Sequence, residues 1–328
     1  MPLTRWPTAV LDTTASLAAS SGPLIVADRA SPASADAVAR LMLVTLSLAW
    51  GVTWPVMKIA LEEIPPFSFR VATSGIAFLA LFAVAFVRGR NVRIKNPRAR
   101  LHLAVAGILN VACFTLGSAF AQLATTTSRV TVLAYTMPIW AALLARPALG
   151  ERLHLTRGVA LLLCAAGLSV LVYPLVGSGD LTGVGIALAT AVAWAAGTVY
   201  LKWARVDADP LAVAAWQLVA AFVVTLLGLI AVEGSLHAWP LHTSALVAMI
   251  FSALVGSAFA YLLWFEIVRR LPATTATLGV LSVPVIGVVA SMLMLGERPT
   301  VADVIGFALI LAAAACVLLA PTSMVGAR

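Results

Sequence analysis

Charge is scarce in this sequence. Only 10% of its 328 residues are Asp, Glu, Lys or Arg, against about 25% in a soluble domain, and so few polar side chains cannot cover a water-facing surface. A soluble fold is thereby excluded. Cysteine is scarce too: Cys113, Cys164 and Cys316 form an odd, scattered trio that suits neither a disulfide framework nor a zinc site. Each lies in an apolar run and fits a small buried hydrophobe. Convergent catalytic groups are also missing. Chemistry in a bilayer needs a nucleophile with its base, a carboxylate pair or metal ligands at one depth, and His102, His154, His237 and His242 all fall at span ends or in loops. No enzyme, cofactor or metal is expected.

What is abundant is apolar. Hydrophobic residues make up 62% of the chain and the mean hydropathy is +1.04. A bilayer core of roughly 30 Å takes about 20 residues of helix to cross, and ten runs of that length emerge, over 41–61, 67–87, 101–123, 127–147, 156–176, 181–203, 211–232, 243–265, 273–295 and 301–320. Backbone polar groups in hydrocarbon must be satisfied internally, so these runs predict an all-α membrane bundle without strands. Residues 1–37, rich in Ala, Ser, Thr and Pro, have no apolar stretch long enough for a signal-peptide core. They are expected to form a disordered N-terminal tail, and residues 321–328 a short C-terminal one.

The net charge of +8 and pI near 10.1 could suggest a nucleic-acid partner, but that requires a basic soluble face. Instead Arg88, Arg90, Arg93, Lys95, Arg98 and Arg100 crowd into one connection without an acid. Short Lys/Arg-rich loops stay on the cytoplasmic side. This places both termini inside, together with Arg146, Arg152, Arg157, Arg269 and Arg270, and puts Glu62, Glu63, Asp180, Glu233 and Asp303 outside.

The chain contains itself twice. Pro138 aligns with Pro284, and the match runs without a gap to Gly150-Glu151-Arg152 against Gly296-Glu297-Arg298; Trp50, Lys58 and Pro66 fall on Trp194, Lys202 and Pro210 at a nearly equal spacing. Residues 38–176 thus form one five-helix repeat and 177–320 a second. Because five is odd, the second repeat is inverted in the membrane. Inverted repeats characterise secondary transporters that rock about a midplane site.

With these features the sequence resembles the EamA-type branch of the drug/metabolite transporter superfamily. The resemblance covers roughly residues 40–320 and rests on the five-plus-five layout, Trp50-Gly51 and the doubled Pro-then-Gly-Glu-Arg signature; the second copy departs from it in having Ala195-Ala196 where the first has Gly51-Val52. It implies a bacterial inner-membrane exporter of amino acids or other small metabolites. A carrier of phosphorylated or nucleotide-sugar substrates is the alternative within the superfamily. A non-transporting receptor or assembly subunit is the alternative outside it.

No Asp, Glu or His lies at mid-depth, which points to facilitated movement down a gradient. The candidate substrate residues are aromatic and neutral polar: Trp50 and Thr53 in the first span, Asn110 and Ser118 in the third, Tyr135 in the fourth, Trp194 and Thr198 in the sixth, Gln217 in the seventh, and Tyr261 and Trp264 in the eighth. Such groups suit an apolar pocket with a few placed hydrogen-bonding partners, and an aromatic lining favours an aromatic or bulky apolar substrate. They equally suit interhelical contacts and interfacial anchors. Pro138 and Pro284 are expected to bend their helices at mid-span, as hinges or static kinks. Lys58, Arg70 and Arg129 approach the outer ends, where they either receive a carboxylate or snorkel and pair with Glu62 and Glu63. Small residues at Ala308, Ala312 and Cys316 predict close helix contact, within one chain or in a homodimer. The expected partners are the lipid bilayer and a small-molecule substrate.

Overall fold

The computed structural model describes residues 32–149, 155–176, 181–236, 241–270 and 280–319. Among the described residues ten main helical segments stand out: α1 (Pro32–Leu61), α2 (Pro66–Val87), α3 (Pro97–Ala124), α4 (Thr127–Leu149), α5 (Leu155–Val172), α6 (Leu181–Ala204), α7 (Pro210–Glu233), α8 (Thr243–Phe251, Ser252–Phe259 and Ala260–Arg270 in succession), α9 (Ser282–Leu295) and α10 (Val301–Leu319). No strand occurs among the described residues. α1 to α8, α5 together with the short turn Tyr173–Leu175 that follows it, each provide a stretch long and apolar enough to cross a bilayer. Leu79, Leu162, Leu227, Val247 and Leu293 are more than half exposed, an outer coat that only lipid accommodates at this density. The chain is a multi-pass membrane protein.

α1 starts nine residues earlier than expected, so positions 32–37 of the supposed tail are helical. Residues 1–31, the C-terminal tail, the Gly150-Glu151-Arg152 corner and the part of the ninth span before residue 280 lie outside the described residues.

Proline sets several helix starts. Pro66, Pro97 and Pro210 open α2, α3 and α7, where the missing N–H is not needed and φ is already helical. Asn96 and Asp209 cap α3 and α7 by accepting from the N–H of Arg98 and Leu211, both at 2.9 Å.

The helices pair as two interchangeable halves. α1 packs on α9 and α8, as α6 packs on α4 and α3; α2 packs on α8, as α3 packs on α7; α2·α7, α4·α9 and α5·α10 join the halves directly. Exchanging the first five helices for the last five converts this set into itself. The halves therefore form the two inverted five-helix repeats. At the spacing that separates Pro138 from Pro284, the π-helical turn Ile108–Ala112 of α3 falls on residues 254–258, inside the π-helical stretch Ser252–Phe259 of α8.

Two sequence expectations are corrected. Pro138 does not bend a continuous helix: α4 is interrupted just upstream, at Tyr135 and Thr136, and restarts at Met137. Pro138 has no N–H for the Ala134 carbonyl and its ring would clash with it, so the helix breaks there, and Pro suits the first turn of the restart. Thr136 caps the restart, its carbonyl accepting from Ile139 at 2.9 Å and its hydroxyl from Trp140 Nε1 at 3.0 Å. Pro284 likewise sits in the first turn of α9, just after a turn at Leu281. The second correction concerns the contact within one chain expected of Ala308 and Ala312, which face outward here. The buried seam of α10 is instead Asp303, Gly306, Phe307, Ile310, Ala313 and Ala314, and a Cβ at Gly306 would lie 3.0 Å from the Gly167 carbonyl of α5.

Candidate functional site

Two equivalent corners gather most of the sequence-predicted residues. At the first, α1 crosses the π-helical part of α8. Trp50 and Trp264 stack at 6.0 Å between ring centroids, tilted by 42°, beside the buried Leu46, Ala260 and Ile267. One turn on, Thr53 sits against Gly256, where an added Cβ would come within 2.6 Å of the threonine methyl. The Thr53 hydroxyl is turned back to its own helix and donates to the Ala49 carbonyl at 2.6 Å.

At the second corner α6 crosses the π-helical turn of α3. Asn110 Nδ2 donates to Thr198 Oγ1 at 3.2 Å, and Thr198 donates on to the Trp194 carbonyl at 3.0 Å. Here the glycine is on the other helix: a Cβ at Gly197 would lie 2.8 Å from the backbone nitrogen of Asn110. Thr53 and Gly197 are repeat mates, as are Asn110 and Gly256. Each corner thus has one glycine, which lets the helices approach closely without a hydrophobic driving force.

The first corner borders the crossing of α1 and α9. A Cβ at Gly51 would lie 2.5 Å from Ile286 Cγ2, and one at Gly287 would lie 2.7 Å from the Thr131 methyl of α4. Pro55, inside α1, lacks the N–H that would close on the Gly51 carbonyl. Trp54 packs edge-on against Phe114 of α3, centroids 6.4 Å apart, and the buried Gln122 Nε2 donates to the Trp54 carbonyl at 3.0 Å.

The other predicted residues are not drawn into these corners by any direct bond. Ser118 is buried and donates to the Phe114 carbonyl at 2.6 Å. Tyr135 stands at the interruption of α4, packed on the main apolar core. Gln217 is buried, its backbone so close to Gly107 of α3 that a Cβ there would come within 2.8 Å. Tyr261 packs on a second core formed by α2, α3 and α7. A cavity of about 600 Å³ opens elsewhere, lined by Leu144, Pro147, Ala148, Ala196, Val199, Tyr200 and Trp203 of α4 and α6. It contains none of the predicted residues, and the exposure of Pro147, Ala148 and Trp203 makes it a peripheral groove. Trp203 stacks near Tyr200 and His102, and His102 Nδ1 and the Tyr200 hydroxyl are 2.7 Å apart.

The expected pairing of Lys58, Arg70 and Arg129 with Glu62 and Glu63 does not occur. Lys58 Nζ donates to the Gln122 carbonyl at 2.8 Å. Arg129 is buried and bidentate with Asp303, Nε to Oδ1 at 2.7 Å and Nη2 to Oδ2 at 3.1 Å. Arg70 is buried without an acid among the described residues. Glu63 faces His242 instead, accepting from its backbone N–H at 2.9 Å. That bond, with the nearby ring, holds the Glu63 carboxyl below its ordinary range.

Sequence reasoning missed two carboxylates that fasten helix starts. Glu233, at the end of α7, accepts from the N–H groups of Phe67 and Ser68 at 2.8 Å each and from the Ser68 hydroxyl at 2.7 Å. Glu297 does the same at α4, accepting from Thr127 N at 2.6 Å, Ser128 N at 2.9 Å and the Ser128 hydroxyl. A carboxylate at a helix N-terminus meets unpaired donors and the positive end of the dipole. The Gly-Glu-Arg signature was the available signal. Gly296 ends α9 at φ +67°, a left-handed position that favours glycine, and this turn delivers Glu297 to α4.

Comparison with known proteins agrees with this architecture. The profile described as "EamA-like transporter family" matches residues 38–173 and again 181–319. The chain is 24% identical over 277 residues to "Uncharacterized transporter YoaV" of Bacillus subtilis (strain 168), covering 82% of this chain and 93% of that protein. It is 30% identical over 278 residues to "Uncharacterized transporter YvbV" of the same organism, covering 82% and 88%. A solved protein structure superposes with a TM-score of 0.60 at 24% identity, over 85% of this chain and 96% of that one, a likeness of fold.

Proposed function

Because the chain belongs to the EamA-like transporter family, we propose that this membrane transporter is a secondary carrier that exports a small metabolite, an amino acid or similar compound with an aromatic or bulky apolar side chain, by alternating access. The observation that carries the reading is the pair of equivalent corners, Trp50-Thr53 on Trp264-Gly256 and Trp194-Thr198 on Asn110. Two matching contacts on opposite sides of a pseudo-twofold axis can open in turn as one half rocks against the other. Aromatic faces and a few hydrogen-bonding groups are the materials of a small-molecule pocket. In this reading both termini are cytoplasmic and transport runs down the substrate gradient.

Purified protein in liposomes loaded with a panel of amino acids tests it. Saturable efflux of aromatic or branched members is expected, and flat traces across the whole panel would sink the proposal. Trp50→Ala and Trp194→Ala are each expected to reduce the flux while the amount of protein in the membrane holds. Parallel loss of both quantities would make these tryptophans structural.

A further inference from the structure

Arg70 lies in the second turn of α2 and is only 9% exposed. Its Nη2 lies against the thioether of Met57, a weak and uncharged acceptor. Its Nε is buried with no hydrogen-bond partner. The guanidinium carbon stands 5.0 Å from the Phe69 ring centroid, and Tyr261 of α8 lies within electrostatic reach. No carboxylate among the described residues answers this charge.

Arg129 is the internal control. It is equally buried, at 9%, and the fold gives it a bidentate acid. A buried cation without a counterion costs several kcal/mol, much more than a paired one, and intramembrane charges mark functional pathways for that reason. Met57 shares one stripe of α1 with Thr53 and Trp50, at spacings of four and three residues. The stripe therefore runs from the cation to the Trp50–Trp264 pair over roughly 10 Å, about the length of an amino acid with a large side chain.

We infer that Arg70 is the anion-binding residue of the translocation site, and that the substrate class carries a carboxylate, held by the guanidinium between α1, α2 and α8 while its apolar part packs along the stripe toward Trp50 and Trp264. This rests on the transporter reading above. A phosphate dianion is the less suitable ligand, because the nearest lysine in sequence to the stripe, Lys58, is already bonded to the Gln122 carbonyl.

The test uses the full chain in detergent, with binding read from tryptophan fluorescence and from thermal stabilisation. The probes are 3-phenylpropionate and 4-methylpentanoate, their neutral amides, and 2-phenylethyl phosphate. The wild type is expected to prefer at least one acid over its amide by about tenfold or more, as a charge-assisted bond implies. Arg70→Gln should abolish that preference while leaving the amide's affinity, and Arg70→Lys should keep part of it. The wild-type comparison stands even where Arg70→Gln fails to fold. Equal binding of acid and amide by the wild type, no binding of either, an acid preference that survives in Arg70→Gln, or tighter binding of the phosphate would each overturn the inference. Flux in liposomes separates the two claims: amino-acid transport that ignores Arg70→Gln sinks the anion site alone, whereas an Arg70-dependent acid preference without any flux sinks the transporter reading alone.

Discussion

Arginine 129 and aspartate 303 stand 174 positions apart and meet in a bidentate pair. Breaking such a pair leaves one buried charge alone, so Arg129→Gln is expected to cost about 3–5 kcal/mol. Thermal unfolding in detergent would register it as a marked drop in Tm. Replacing both partners together, as Arg129→Met with Asp303→Leu, should recover most of the loss, since paired apolar side chains need no desolvation. The sequence revealed that three cations approach one end of the bundle, but their destinations were hidden. Composition and spacing do not say which carboxylate lies across a helix interface, and here Lys58, Arg70 and Arg129 found a carbonyl, a sulfur and an aspartate.

At the scale of the helix, the apolar runs located all ten segments because a bilayer demands length and continuity that few other environments demand. Interruptions were less legible. The sequence drew attention to Pro138 and Pro284, yet expected bends at mid-helix, whereas both prolines sit in the first turn after an interruption. The π-helical turns of α3 and α8 had no signal in residue type. Close crossings yield a direct test: Gly51→Leu drives a side chain into Ile286 of α9, and overpacking of this kind costs about 1–3 kcal/mol. Transport is expected to fall to background while the protein still reaches the membrane, as a liposome assay beside an immunoblot would show. Glu297→Gln should weaken the start of α4 by about 1–2 kcal/mol, because a neutral amide accepts the Thr127 and Ser128 donors less strongly than a carboxylate does. The same melting measurement checks it.

For the whole molecule, the doubled signature predicted an inverted architecture, and the helix pairings exchange as that symmetry requires. The proposed orientation puts the basic connection Arg88–Arg100 on the cytoplasmic side. Single tags at Arg152 and Arg298, probed with an impermeant reagent on intact cells and on inverted vesicles, should be reached from opposite sides, the second from outside. Exposure of both to one compartment would end the two-sided architecture. Which residues would meet a substrate was beyond the sequence, since neutral polar residues such as Ser118 and Gln217 suit lining a path and fastening a helix equally well.

The wide turns in α3 and α8 carry a consequence for the way length is tolerated. Removing one residue from an ordinary α-helix swings everything beyond it by about 100°, which in a packed bundle scrambles every downstream contact. A π-helical turn already holds a surplus residue, so a deletion within 108–112 or 252–259 could tighten the coil locally and return the following side chains nearly to their former bearings. These stretches, like the similar turn Leu229–Glu233 at the end of α7, are slack in the weave, and a deletion that would ruin α2 or α6 could be absorbed there.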